Sequence, residues 1–298
     1  MTFSFWGKCI AVALVSCLWA PVLAESESSG QQAVLTVRYP QYAGDDIVFQ
    51  RQVNYFVSLL TLALEKSGRP FELHPVPGGA VSDRRNSRNL DTGFYDVNWM
   101  HSNPDREATL QAVYIPLFKG LAGWRLLLIS ENAEPAFQKG VSLTKLKTLR
   151  AGLGQDWPDT SYMKANGFSV VTSINRDSLI SMLVSDRVDY VSRSVVEIWD
   201  ELEAHSDKRV AAACCVALHY PSAFYFFTNR DNHALSQALS TGLNAAIADG
   251  SFDRVFNEFY GEALSRARLG SRAVYHLDIP WETATMPLHR PELWYQPE

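Results

Sequence analysis

Two stretches of the chain carry one pattern: Leu90-Asp91-Thr92-Gly93-Phe94-Tyr95-Asp96-Val97-Asn98-Trp99 and Leu183-Val184-Ser185-Asp186-Arg187-Val188-Asp189-Tyr190-Val191-Ser192-Arg193. In each, an aspartate stands six residues after a leucine that closes a helical pattern, and the chain then enters a strand. Each is preceded by an amphipathic or polar helix. Each is followed by another, from Pro104 in the first copy and from Val195 in the second. Any helix, turn and strand can look like this, so the echo needs its surroundings. What it predicts is two lobes built on similar α/β plans.

The flanking segments agree. Val34 to Tyr39 alternates as a strand, and a loop with Gly44-Asp45-Asp46 follows. Asn54 can cap a helix with Phe56, Leu59, Leu60, Ala63 and Leu64 on one face, closed by Gly68. Phe71 to Val76 then returns as a strand, and this β–α–β unit implies parallel strands in a doubly wound sheet. Leu126 to Ser130 and Ala223 to Thr228 read as buried strands. Helices are expected over 232–248 and 252–260, the second with Phe252, Val255, Phe256 and Phe259 at helical spacing. The tail from Ser271, rich in proline and aromatics, reads as a segment wrapped over a lobe.

At 298 residues the length suits two domains. The first 24 residues read as a signal peptide: Lys8, an apolar run from Cys9 to Ala20, then Val22 and Ala24 before a polar stretch. That run is too short to span a bilayer. Leu14-Val15-Ser16-Cys17 offers the alternative of a lipidated cysteine. Removing residues 1–24 takes the net charge from −5 to −6, which is no footprint for nucleic acid. Only Cys214 and Cys215 remain, inside an apolar stretch that reads as a buried strand, and are expected as inert thiols. No cysteine or histidine spacing suggests a metal, and no cofactor is implied. Gly152-Leu153-Gly154-Gln155-Asp156-Trp157 lacks the third glycine of a dinucleotide fingerprint; a strand turning at Gly154 before a helix capped by Asp159 or Thr160 fits better.

Leu90 to Arg106 and Ala223 to Gly261, the latter with Asp249-Gly250-Ser251-Phe252 and Tyr260-Gly261, resemble segments of bacterial extracellular solute-binding proteins of family 3. The resemblance extends in order over residues 34–262. It implies the type 2 periplasmic binding protein fold, two doubly wound α/β lobes joined by a two-strand hinge. Lobe 1 would be 34–124 plus 230–298, lobe 2 would be 125–225, and the hinge would lie near 124–130 and 223–229. It further implies a periplasmic, monomeric protein that closes over a small ligand and hands it to an ABC permease at the inner membrane, without catalysis. An enzyme on the same fold and the sensing input of a membrane receptor are the rival readings.

Ligands of such sheets sit beyond the carboxyl ends of the strands, at helix N-termini. Arg106 leads the candidates. It is a cation in a first helical turn, against the dipole, and a bound carboxylate would explain it. In the resemblance it holds the place of the carboxylate-binding arginine; a surface pair with Asp105 or Glu107 is the plainer alternative. Trp99, His101 and Asn103 share its loop. On the second-lobe side Gln155, Asp156 and Trp157 are expected to line the crevice, with Tyr42 facing them. The family's ammonium-binding aspartate falls at Ser194, next to Arg193. Ser194-Val195-Val196-Glu197 also has capping-box spacing. An ordinary α-amino acid is therefore in competition with a carboxylate or other anion.

Overall fold

In the computed structural model the described residues are 1–4, 33–42, 47–78, 83–279 and 285–297. Residues 5–24 of the expected signal peptide, Cys17 included, lie outside them. No helix among the described residues is long and apolar enough to cross a membrane. The elements of the first half are β1 (Leu35–Tyr42), α1 (Ile47–Lys66), β2 (Phe71–Gly78), α2 (Asp83–Asp91), β3 (Val97–His101), α3 (Pro104–Thr109), β4 (Gln111–Val113), β5 (Trp124–Ser130) and α4 (Leu143–Thr148). Those of the second half are β6 (Arg150–Gly154), α5 (Pro158–Ala165), β7 (Ser169–Ser173), α6 (Arg176–Val184), β8 (Tyr190–Ser194), α7 (Ile198–Ala204), β9 (Val210–Ala212), β10 (Val216–His219), β11 (Phe224–Thr228), α8 (His233–Ala248), α9 (Ser251–Ala267) and β12 (Ala273–His276).

Two groups of strands define the two lobes. In the first, β1 and β2 pair in parallel and β3-β11-β4 form an antiparallel trio. In the second, a seven-stranded sheet runs β12-β10-β5-β8-β6-β7, with β9 also on β5. Its β8-β6-β7 portion is parallel, as helical crossovers require. α1 and α8 cover the first lobe and meet closely at Gly242, where a Cβ would stand 1.7 Å from the Ala63 carbonyl oxygen.

The echo in the sequence becomes a repeated structure. Gly93 and Asp186 both adopt the left-handed conformation, with φ of 71° and 55°. Three residues on, Asp96 accepts from Arg38 N–H, Nε and Nη2, each at 2.8 Å. Asp189 accepts from the same atoms of Arg150 at 2.6, 3.1 and 2.7 Å. Each aspartate returns its own N–H to the arginine carbonyl, at 2.9 and 2.8 Å. In each lobe, a helix-to-strand turn is thus clasped to another strand, in the middle of β1 in the first and at the start of β6 in the second.

Two expectations follow from the clasps. Glycine reaches φ > 0 without a Cβ penalty, so Asp186→Gly should raise stability by about 0.5–1 kcal/mol, read by denaturant unfolding. The hydrogen bond from Arg150 holds the Asp189 carboxyl below its ordinary value, although burial opposes it. A depressed folded-state pKa contributes stability that is present above the ordinary aspartate range and lost as pH falls through the lowered value. Both partners are partly exposed, so screening trims the gain. Asp189→Asn should cost about 1 kcal/mol at pH 7 and progressively less towards pH 3.

Several sequence expectations are corrected. α1 begins at Ile47, one or two turns before Asn54, because Tyr55 and Phe56 continue an apolar face that starts upstream. α9 runs through Gly261 to Ala267, since Phe256, Tyr260, Ala263 and Ala267 keep burying one stripe. The 211–217 stretch is not one strand: the chain bends between β9 and β10, and Cys214 and Cys215 are joined by a disulfide there rather than being free thiols. Neighbours on a strand point to opposite faces, whereas a bend brings their side chains together. The two passages between lobes meet just upstream of β5 and β11, where Tyr220 N–H donates to Gly123 O at 3.2 Å. The tail, assigned to the first lobe, contributes β12 to the second-lobe sheet.

Candidate functional site

A cavity of about 220 Å³ lies between the two groups of strands. The first lobe lines it with Phe49 and Gln52 of α1, His101 of β3, Phe118, Ala122 and Phe224. The second lobe supplies Arg125, Asp156, Trp157, Pro158, Asp159, Arg176, Arg193, Ser194, Val196 and Glu197. One wall is largely aromatic, and the other is charged.

The charged wall stands where the carboxyl ends of β6 and β8 meet the first turns of α5, α6 and α7. Arg125, 3% exposed, donates to Ser192 O at 2.9 Å and Ala122 O at 3.1 Å and pairs with Asp159 at 3.2 Å. Arg193 on β8 bonds Glu201 of α7 at 2.5 Å and stands 3.3 Å from Glu197. Its guanidinium also lies 4.5 Å from the centre of the Trp157 ring. Arg176, at the first position of α6, approaches Glu201 at 3.7 Å. Burial raises the Asp159 carboxyl, with Arg125 pulling the other way, and raises Glu201 likewise against Arg193. Burial pushes Glu197 up as well, but Arg193 and Arg125 outweigh it and hold it below its ordinary value.

Arg193 keeps one buried donor without a hydrogen-bond partner, its Nε. A buried N–H left unpaired costs about 1–3 kcal/mol, so an incoming oxygen would be well received. Gly154 belongs to this wall for a plain steric reason: a Cβ there would stand 2.3 Å from the Trp157 ring. That close approach explains the glycine without any nucleotide.

Of the expected site residues, the structure brings His101, Asp156, Trp157, Arg193 and Ser194 to the cavity. His101 lies 3.5 Å from the Ser222 hydroxyl, and its ring packs against Phe224 at 3.9 Å with the two planes tilted by 46°. The spacing of Ser194 and Glu197 does produce a reciprocal turn. Val196 N–H donates to the Ser194 hydroxyl at 3.3 Å, and Ser194 N–H reaches Glu197 at 3.4 Å. The turn lies just before α7, which starts at Ile198.

The others are elsewhere. Arg106 does not line the cavity. It is buried in its own lobe, donating to Ser87 Oγ at 3.1 Å and to His101 O, with Phe227 beneath it at 5.9 Å. Asn103 caps α3 through Arg106 N–H at 2.8 Å. Trp99 stacks on Phe56 at 5.1 Å in the core. Gln155 is exposed outside the cavity lining, and Tyr42 ends β1 with its side chain outside the described residues. Neither Asp159 nor Thr160 caps α5: Trp157 holds that position, Asp159 pairs with Arg125, and Thr160 donates to Gly154 O at 2.7 Å. Arg106→Ala should cost about 1.5–3 kcal/mol of stability through its lost charged hydrogen bonds and leave ligand affinity unchanged, as denaturation and calorimetry would show.

No family model matches the chain, and no curated protein matches it by sequence. Its structure does match others. An ancestral arginine-binding protein bound to arginine is similar at TM-score 0.55 and 17% identity, over 76% of this chain and 98% of that one. A probable amino-acid ABC transporter extracellular-binding protein from Bacillus subtilis is similar at TM-score 0.57 and 15% identity, over 77% and 99%. A histidine kinase sensor domain with similarity to periplasmic binding proteins is similar at TM-score 0.53 and 14% identity, over 78% and 97%. The chain has the two-lobed α/β fold that these proteins share, that of the periplasmic binding proteins.

Proposed function

We propose that this chain is an exported solute-binding protein that captures a small, carboxylate-bearing solute between its lobes by hinge closure. It delivers that solute to an ABC permease and catalyses nothing itself. The observation that carries the reading is the cavity, built from both lobes with arginines on one wall and aromatic rings on the other. At about 220 Å³ it is smaller than the pockets that hold drug-sized ligands, which suits a metabolite of amino-acid dimensions. With Arg106 turned inward, the carboxylate falls to the second-lobe arginines, and Arg193 Nε is the donor that waits for an oxygen. The acids Asp159, Glu197 and Glu201 already face arginines, which leaves Asp156 at the cavity rim as the group to meet an ammonium. The disulfide between Cys214 and Cys215 suits an oxidising compartment, in keeping with export to the periplasm.

A thermal-shift screen of amino acids, carboxylates and amines on the mature protein tests this, because binding to the native state alone raises the melting temperature. A carboxylate-bearing compound is expected to score and to lose affinity at least tenfold in Arg176→Gln, which changes the most exposed of the cavity arginines. A screen in which no carboxylate shifts the transition would sink the proposal. The likeness to a histidine kinase sensor domain favours a second reading, in which the closed form signals to a membrane receptor. Loss of solute uptake in a deletion strain, with signalling intact, would decide for transport.

A further inference from the structure

The bend that carries the disulfide interrupts a single course of chain along β5. β9 and β10 both run antiparallel to β5, on the edge that β8 leaves open. Pairing breaks off with Ala212 opposite Leu128 and resumes with Leu218 opposite Arg125. Ala213 to Ala217 therefore face only Leu126 and Leu127, and the surplus residues stand out as a bulge. The disulfide between Cys214 and Cys215 closes it. A cross-link between neighbours removes almost no entropy from the unfolded chain, since that gain grows with the loop enclosed. Its effect is local instead. It holds together two adjacent side chains that an extended strand would send to opposite faces.

The bulge turns its backbone carbonyls towards the tail. Arg272, half-buried just before β12, donates to Ala213 O and, at 3.2 Å, to Val216 O, while its Nε donates to Ala267 O at 2.6 Å. Ala273 N–H donates to Cys215 O at 2.9 Å, where β12 begins to pair with β10 at Val216↔Ala273. Three acceptors at the start of β12 thus belong to the bulge. Hydrogen bonds from a guanidinium are strong, and they depend on where those oxygens point. The far end of β12 is held without the bulge. There Leu277 N–H donates to His219 O at 2.8 Å, and Asn166 and Asp278 exchange hydrogen bonds of 2.6 and 3.0 Å.

We propose that Cys214–Cys215 is a reversible redox site through which a dithiol partner controls the seating of β12. Both cysteines are half-buried, so their sulfurs are within a partner's reach. One thiolate of the partner attacks a sulfur of the pair and breaks the S–S bond, leaving a mixed disulfide and a cysteine thiolate that takes up a proton. The partner's second thiolate then displaces the other cysteine, which is protonated in turn. Two electrons and two protons have passed to the pair, and the partner carries the new disulfide. The two side chains then part and the bulge loses its closure. The carbonyls of Ala213, Cys215 and Val216 no longer converge on Arg272 and Ala273. Re-oxidation needs no search, because the two thiols are on adjacent residues.

The test needs no solute, so it stands or falls apart from the solute-binding reading. The full chain is incubated with millimolar dithiothreitol under native conditions, then alkylated and mapped by peptide, while amide exchange is followed residue by residue. Cys214 and Cys215 are expected to take the alkyl group. The Ala273 amide should exchange about tenfold faster or more, with Leu277 and the first-lobe strand β11 keeping their rates. The double variant Cys214→Ser, Cys215→Ser should show the reduced rate with or without dithiothreitol. Three results overturn the proposal: cysteines that stay unalkylated in the native fold, an Ala273 rate that reduction leaves unchanged, or equal acceleration at every amide. If the double variant fails to fold by circular dichroism, the dithiothreitol experiment decides alone.

Discussion

Gly123→Ala is expected to lower stability by about 3 kcal/mol or more, a fall of roughly 6–12 °C in melting temperature for a chain of this size. A Cβ at position 123 would stand 1.9 Å from the Tyr220 carbonyl oxygen and 3.1 Å from Ser222 Cβ. Both obstacles belong to the second passage between lobes, and the nearer one is backbone, so no rotamer change relieves the clash. The two passages must part, and the bond from Tyr220 N–H to Gly123 O is lost with them. Gly242→Ala makes the natural control. Its Cβ would be 1.7 Å from the Ala63 carbonyl oxygen, so it should destabilise comparably by prising α8 from α1. Only Gly123→Ala, though, should change the separation of the lobes in small-angle scattering. Equal scattering curves for the two variants would show that the contact at Gly123 does not set the lobe geometry.

Arg193→Met should cost about 3–5 kcal/mol at pH 8, because it leaves Glu201 buried and without its 2.5 Å partner. The cost should shrink on acidification. Burial already raises the Glu201 carboxyl in the intact protein, and removing Arg193 withdraws the largest opposing influence. A carboxyl whose folded-state pKa stands above its unfolded value favours the fold below the unfolded pKa and loses that contribution as pH rises through the folded one. The variant should therefore recover stability between neutral pH and the ordinary glutamate range, where the native protein shows a weaker trend. Denaturant titrations at pH 8, 6 and 5 measure it. A deficit that is constant with pH would mean that Glu201 finds a new partner, Arg176 at 3.7 Å being the nearest at hand.

The framework of the fold was legible because its signals are local. The spacing from Leu90 to Asp96 and from Leu183 to Asp189 encodes a helix stop, a left-handed residue and an acid, all within one turn of chain. The arginines that clasp those acids, Arg38 and Arg150, were not legible, since they lie 58 and 39 residues away. The site was half legible for a similar reason. Trp157, Arg193 and Ser194 sit at strand-to-helix junctions, where the fold places ligands. Arg125 was missed inside an apolar run, where a cation in a buried strand was itself the signal; its justification, Asp159, lies across the sheet. Arg106 is a cation in a first helical turn, yet α3 has only six residues and the guanidinium finds Ser87 and His101 O. Arg176, the first residue of α6, stands equally against its helix dipole and does line the cavity. The disulfide bend was hidden by composition, because alanines on either side make a turn look like a strand.

The order of strands has a consequence for how the molecule comes into being. β11 is the middle strand of the trio β3-β11-β4, yet it follows every strand of the second lobe except β12. A chain emerging N-terminus first presents β3 and β4 long before the strand that joins them. Residues 124–219 already hold six of the seven strands of the other sheet by then. The later-made lobe is thus positioned to fold first, and the earlier-made one waits with open strand edges, where a chaperone would find its binding surface.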